Sequence, residues 1–213
     1  MATFERRLTA TEAAVVAGVT LRDVNRLLDR DILPKALTTK GDGERRVAWL
    51  GCPLIRFYVL SAPDLTSATR RFVIRVAFDR LRRHVVIDRP IVESGELNVE
   101  HGAITVALRA YFDAAADQLE QLAEAEALVE QDSDVLGGVP VFRGTRIPVY
   151  DIAGALEEGE SRKDLLHGYP RLTDRALDLA LIYARAHPMR GRPPKLSERL
   201  QATPVSSAPG PRK

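Results

Sequence analysis

The chain has 213 residues, 45% of them hydrophobic, so it is long enough for one or two domains and can bury an apolar core. Its single cysteine, Cys52, excludes an internal disulfide, and we interpret it as a small buried residue in a reducing compartment. No apolar run approaches the roughly 18 residues that a membrane span needs, and the first residues lack an apolar leader, so we expect a cytoplasmic protein without a membrane partner.

The charges are strongly segregated along the chain. Residues 1–89 contain 17 Lys and Arg against 10 Asp and Glu, residues 90–135 contain 1 against 11, and residues 188–213 contain 6 against 1. Two basic ends favour contact with a polyanion, although solvated faces that merely differ in charge are the alternative. We divide the chain into a DNA-binding domain (1–89), an acidic hairpin and helical linker (90–131), a second domain (132–187) and a basic, disordered tail (188–213).

The N-terminal segment has the pattern of two helices joined by a glycine turn. Thr9 and Glu12 form a capping box, Gly18 ends the first helix, and Thr20 caps a second helix from Leu21 to Asp29. This spacing is typical of a helix-turn-helix. The predicted DNA contacts on the second helix are Thr20, Arg22, Asn25 and Arg26. An ordinary solvated helix face is the alternative.

A basic strand follows the two helices. The run from Glu44 to Leu50 is predicted to be a strand after a polar turn, and another helix follows through Leu60. Residues 8–60 therefore resemble winged-helix regulators of the MerR type. The resemblance implies that Arg45 and Arg46 touch phosphate while the second helix reads bases.

The middle of the chain is predicted to contain two helices with a hairpin between them. Residues 64–83 form an arginine-rich helix that either contacts phosphate or packs its arginines on the core. Apolar and polar residues alternate in segments 84–88 and 96–99, which predicts a small hairpin. Residues 106–131 form a long amphipathic helix, which packs between domains or forms the seam of a homodimer.

The segment from residue 132 to 187 is predicted to be a hairpin followed by three helices. Strands 139–142 and 145–147 flank a turn at Arg143 and Gly144, and Pro148 starts the first helix. Gly159 ends that helix, Ser161 caps the second, and Thr173 caps the third. The predicted fold class is thus mainly α with small β hairpins, a winged helix-turn-helix at the N-terminus and a trihelical, homeodomain-like domain after it.

This second domain resembles a small family with a glycine-rich signature. The matching residues are Gly137, Gly138, Pro140, Gly144, Thr145, Arg146, Pro148, Val149, Gly159, Ser161, Tyr169, Pro170, Leu172 and Thr173. The resemblance implies a VapB-like antitoxin whose partner is a PIN-type ribonuclease toxin. We predict that Arg143, Gly144, Thr145 and Arg146 contact the toxin. The alternative is that Thr145 and Arg146 lock the hairpin, with Arg146 the likelier of the two arginines to be structural.

The tail contains the core of an AT-hook. Arg190, Gly191, Arg192 and Pro193 suit an extended strand in a narrow A·T minor groove. Insertion of these arginines into a toxin pocket and an unstructured basic tail are the alternatives.

Sequence motifs for catalysis are absent. The four histidines at positions 84, 101, 167 and 187 lack metal-ligand spacing, so we expect no metal and no cofactor. The chain has no phosphate-binding loop or nucleophile elbow, so we expect no enzyme activity. Two functions remain: an antitoxin that represses its own operon by binding operator DNA, and a stand-alone transcription regulator without a toxin.

Overall fold

The computed structural model describes residues 6–41, 43–82 and 97–189. The chain divides into two compact units, residues 1–125 with 185–187 and residues 126–184 with 188–213. The described residues form eight α-helices and short antiparallel strands. The predicted mainly α class with small β elements is therefore confirmed.

A three-stranded antiparallel sheet lies in unit 1. Its strands are β1 (Arg7–Thr9), β2 (Thr38–Gly41) and β3 (Glu44–Ala48), in the order β1-β3-β2. The hairpin of β2 and β3 confirms the predicted strand after the polar turn. Strand β1 was not predicted, and it pairs with β3 in the register Leu8 opposite Val47.

Helices α1 (Ala10–Ala17) and α2 (Leu21–Asp29) have the predicted caps. The Thr9 amide donates to Glu12 Oε2 at 2.7 Å, and the Glu12 amide donates to Thr9 Oγ1 at 3.3 Å, which completes the capping box. Gly18 closes α1 with φ +62°, a conformation that glycine adopts without strain. Val24 and Leu27 of α2 are buried.

The core of unit 1 continues through helices α3 (Gly51–Leu60) and α4 (Ser67–Leu81). Phe57 and Ile74 are among the largest fully buried side chains, and Cys52 is fully buried as predicted. Thr66 caps α4 through a hydrogen bond from the Thr69 amide at 3.2 Å.

The described residues after α4 contain a hairpin that was not predicted. Strand β4 (Asn98–His101) pairs with β5 (Ile104–Ala107) around Gly102, which has φ +61°. The other predicted strand, residues 84–88, lies outside the described residues. In the sequence this hairpin is marked by one turn residue, Gly102. The apolar and polar residues continue to alternate through Ile104 and Thr105, so the pattern does not show where one strand ends and the next begins.

The predicted long helix is confirmed as α5 (Arg109–Leu128). Its apolar stripe is buried within the single chain: Phe112, Ala115, Leu119, Leu122 and Ala125. The apolar stripe of this helix is therefore covered within the single chain.

Unit 2 begins with two short paired strands. Strand β6 (Val129–Glu130) pairs antiparallel with β7 (Val141–Phe142). The predicted hairpin within residues 139–147 is reduced to a tight loop with a single bridge between Val141 and Pro148. The prediction missed β6 because this partner strand directly continues a helix and is only two residues long.

Helices α6 (Val149–Glu157), α7 (Arg162–Gly168) and α8 (Asp174–Ala186) complete unit 2. Pro148 precedes α6, and Gly159 follows it with φ +92°. The Asp164 and Ala176 amides donate to the predicted caps, Ser161 and Thr173 respectively. The core includes Phe142, Val149, Ile152, Leu165 and Leu177. Across the described residues, no helix has the length and apolar character that a membrane crossing requires.

Candidate nucleic-acid and partner interfaces

The polar face of α2 carries three of the predicted DNA contacts. Arg22 is exposed and has no hydrogen bond or ion pair to any described residue. Arg26 is also exposed, and its Nη1 lies 3.7 Å from Asp23 Oδ1. Asn25 is half-buried between them. Because residues three and four apart share a helix face, Arg22, Asn25 and Arg26 form one surface.

Thr20 uses its hydroxyl group inside the chain. Its Oγ1 accepts from the Asp23 amide at 3.1 Å and donates to Asp23 Oδ2 at 2.6 Å. The cap fixes the start of α2 and hence the orientation of the arginine face. As a predicted DNA contact, Thr20 therefore lies at the edge of this face with its hydroxyl already engaged.

Arg45 reaches from the hairpin to α2. One guanidinium nitrogen, Nη1, donates to Asp29 Oδ1, and the other, Nη2, donates to Asn25 Oδ1 at 3.1 Å. Two residues that were predicted to contact DNA separately are thus bonded to each other. Sequence spacing could not show this, because Asn25 and Arg45 are 20 residues apart.

Arg46 lies on the other face of the same strand, because successive strand side chains point to opposite faces. Its side chain is 48% exposed, and Nη2 lies 3.8 Å from Glu44 Oε2. Lys40 pairs with Arg45 across the hairpin and is exposed. Lys40 was not among the predicted DNA contacts, although its position next to the turn, opposite a predicted basic strand, was the available signal.

The arginines of α4 are largely engaged within unit 1. The Arg70 guanidinium lies 4.2 Å from the centre of the Tyr58 ring and donates to the Tyr58 carbonyl. Arg80 Nη1 donates to the Asn98 carbonyl at 2.6 Å, and Arg82 pairs with Asp79 at 3.2 Å. Packing on the fold describes Arg70, whereas Arg82 is 62% exposed and forms a surface ion pair on its own helix.

Arg143 holds the end of α5. Its Nε donates to the Ala127 carbonyl at 2.9 Å and its Nη2 to the Val129 carbonyl at 3.3 Å. Its amide also donates to the Leu128 carbonyl at 2.9 Å. The anchored arginine of this loop is therefore Arg143, whereas the prediction was that Arg146 is the structural one.

Hydrogen bonds also hold Gly144 and Thr145 of this loop, whereas the side chain of Arg146 makes none with a described residue. Thr145 Oγ1 donates to the Phe142 carbonyl at 2.7 Å and accepts from the Ile147 amide at 3.1 Å. The Gly144 amide donates to Glu130 Oε1 at 3.0 Å, and its carbonyl accepts from Arg171 Nη1 at 3.2 Å. Arg146 is exposed and bonds to no described residue. It is the cation that this loop presents.

The predicted AT-hook contacts, Arg190, Gly191, Arg192 and Pro193, lie outside the described residues.

Together these features define a two-unit, mainly helical chain with a basic helix face in one unit and a glycine-rich loop in the other. Residues 129–184 match the family described as "Protein of unknown function (DUF433)". The chain is 43% identical over 185 residues to "Uncharacterized protein y4eO" of Sinorhizobium fredii (strain NBRC 101917 / NGR234), which covers 87% of this chain and 83% of that protein. It belongs to the same family as y4eO. No solved structure matches the chain.

Proposed function

We propose that the chain is the antitoxin of a type II toxin–antitoxin pair, which binds operator DNA through unit 1 and a PIN-type ribonuclease through unit 2. The observation that supports the DNA-binding half is the α2 face with its exposed Arg22, next to the hairpin that carries Lys40 and Arg46. Two capped helices followed by this hairpin suit a winged helix-turn-helix, in which α2 enters the major groove. Arginine at that position can pair with guanine O6 and N7.

The partner-binding half is assigned to unit 2. Helices α6, α7 and α8 suit a trihelical, homeodomain-like domain, and the signature residues of the loop hold its shape. Arg146 is left exposed for a charge-assisted hydrogen bond to an acidic nuclease, which is about twice as strong as a neutral one. The tail, residues 188–213, adds a second basic element for DNA.

DNA binding is tested with the full chain and a fluorescent duplex from upstream of its gene. Each phosphate contact should contribute about −0.9 to the slope of log affinity against log salt concentration. Arg22→Ala should weaken binding about tenfold, as loss of one base-reading arginine does. Lys163→Ala removes the same charge from an exposed site in unit 2 and serves as the matched control. Equal effects of the two substitutions, or salt-independent binding, would contradict the proposal.

Toxin neutralisation is tested by coexpressing the chain with the product of the neighbouring reading frame, which this proposal requires to be a PIN-type ribonuclease. We expect growth rescue by the full chain and loss of rescue with Arg146→Ala. The engagement of Arg143 and Thr145 inside the chain leaves a small contact surface in this loop, which favours the second candidate, a stand-alone transcription regulator. DNA binding without rescue or copurification would select that candidate.

A further inference from the structure

The Arg45 guanidinium bridges two side chains of α2. It donates to the carboxylate of Asp29, one turn from Asn25, and to the amide oxygen of Asn25 at 3.1 Å. This fork connects β3 to the helix face that carries Arg22 and Arg26. The rest of this inference rests on the proposed DNA binding of unit 1.

The fork determines which way the Asn25 amide faces. A guanidinium group has five N–H donors and no acceptor, so only the Oδ1 side of the amide can face Arg45. The amide NH₂ group must then point away from the hairpin. Without Arg45, the two ends of the amide would be free to exchange by rotation about χ2, whose wells are broad.

The same fork makes Arg45 a poor contact for phosphate. Its charge is paired with Asp29, and Lys40 lies across the hairpin as an exposed cation. If Arg45 turned to a phosphate, the Asp29 carboxylate would be left unpaired beside the DNA backbone, where the like charges repel. Lys40 can reach a phosphate without that loss. Arg46 would give up only a 3.8 Å contact with Glu44.

We infer that Arg45 is a positioning residue for sequence readout and not a phosphate contact. It holds Asn25 so that the amide NH₂ group donates to an acceptor on a base edge in the major groove: purine N7, guanine O6 or thymine O4. The hairpin thereby affects which DNA sequence is bound, although it touches no base.

The two roles predict different measurements. Loss of a phosphate contact weakens binding to all sequences alike and reduces the salt slope by about 0.9. Loss of a positioning residue relaxes the preference at one base position, and this change in the base profile distinguishes the two roles. We expect Arg45→Ala to lower that preference about tenfold, as expected for the loss of one specific base contact.

The experiment uses the full chain and a duplex library with 20 random base pairs, with the bound fraction sequenced. Wild type is compared with Arg45→Ala, with Asn25→Asp, which keeps a partner for Arg45 but has no NH₂ donor, and with Arg46→Ala as the matched control. Arg45→Ala and Asn25→Asp should lose preference at the same position. Arg46→Ala should keep the base profile and lose about 0.9 of the salt slope.

Two measurements without DNA distinguish a failure of this inference from a failure of the proposed function. The ¹⁵N spectrum of the Asn25 side chain, recorded without DNA, should change in Arg45→Ala while the thermal midpoint confirms a folded chain. An unchanged Asn25 signal, or an Arg45→Ala profile that keeps every base preference with a lower salt slope, overturns the inference. A wild-type chain that enriches no sequence and binds no duplex overturns the proposed function instead. In that case the Asn25 spectrum alone tests whether Arg45 orients the Asn25 amide.

Discussion

Arg143 Nε donates a hydrogen bond to the carbonyl oxygen of Ala127 at 2.9 Å, so the glycine-rich loop closes the end of a helix that lies 16 residues earlier in the chain. The last carbonyls of an α-helix have no partner within the helix. Arg143 satisfies those of Ala127 and Leu128 through its side chain and amide, and its positive charge suits the negative end of the helix dipole.

We therefore expect Arg143→Ala to destabilise the loop by about 1 kcal/mol, the usual net contribution of such hydrogen bonds. Arg146→Ala, three residues away and exposed, should change stability by less than about 0.5 kcal/mol. Amide hydrogen exchange of peptides from residues 126–148 measures both. Faster exchange in Arg146→Ala than in Arg143→Ala would reverse the assignment of the two arginines.

The helix caps could be predicted because their partners are close in sequence. Thr9 with Glu12, Thr20 with Asp23, and Ser161 with Asp164 each join residues three apart. Such contacts form wherever a helix starts and need no tertiary context. For the same reason Gly18 and Gly159 mark helix ends that the structure confirms.

The strand pairings and the arginine contacts could not be predicted in this way. Strand β1 exists only because β3, about 40 residues later, offers it hydrogen bonds. The side-chain hydrogen bonds of Arg45 to α2 and of Arg143 to the end of α5 likewise depend on distant backbone. An arginine motif shows the charge but not its partner, so the sequence identified the basic residues and missed which of them are already engaged.

Gly144 should not tolerate a side chain, for conformational and not steric reasons. It has φ +70°, and a Cβ would meet nothing within 4 Å. Gly144→Ala should cost about 1–2 kcal/mol from the left-handed conformation alone. Gly154→Ala, also free of contacts but inside α6, should be neutral or stabilising by about 0.5–1 kcal/mol. Far-UV circular dichroism during urea unfolding compares the two, and equal destabilisation by both substitutions would show that the left-handed conformation of Gly144 is not the cause.

The thiol of Cys52 should be unreactive in the folded chain. It is fully buried at the start of α3, and burial raises its pKa well above the ordinary value. Because the thiolate is the reactive form, a disulfide reagent at pH 8 should label no thiol in the native chain and one thiol in 6 M guanidinium chloride. Rapid native labelling would mean that α3 opens on the time scale of the assay.

The same thiol predicts a pH dependence of stability. In the unfolded chain Cys52 loses its proton above about pH 8.5, whereas the folded chain retains it. A pKa raised by folding contributes its full stability below the unfolded pKa and loses it as the pH rises above that value. The free energy of unfolding of wild type minus that of Cys52→Ala should therefore decrease between pH 8 and 10. A constant difference over this interval would contradict the burial effect.

The close approach of β3 to the start of α3 can be tested at Gly51 and Val47. A Cβ built on Gly51 would lie 2.7 Å from Cγ1 of Val47, which is fully buried, and its next neighbour, Leu33 Cδ1, would be 3.6 Å away. Gly51→Ala should therefore destabilise unit 1 by about 1–3 kcal/mol, the range for overpacking in a core. The chain's single tryptophan, Trp49, lies between the two residues and reports unfolding by fluorescence.

Val47→Ala removes the atom that a new Cβ would meet, and alone it should cost about 2 kcal/mol through the space it leaves. If the contact with Val47 limits Gly51, then Gly51→Ala should cost almost nothing in the Val47→Ala background. The double-mutant cycle would then give a favourable coupling of about 1–3 kcal/mol, which is within the range for residues in contact. Additive effects would mean that the backbone of α3, and not Val47, requires glycine. Because Val47 shares a strand with Arg45, a shift of β3 in Gly51→Ala should also disturb the Arg45–Asn25 hydrogen bond, and the Asn25 side-chain signal should return to its wild-type position in the double variant.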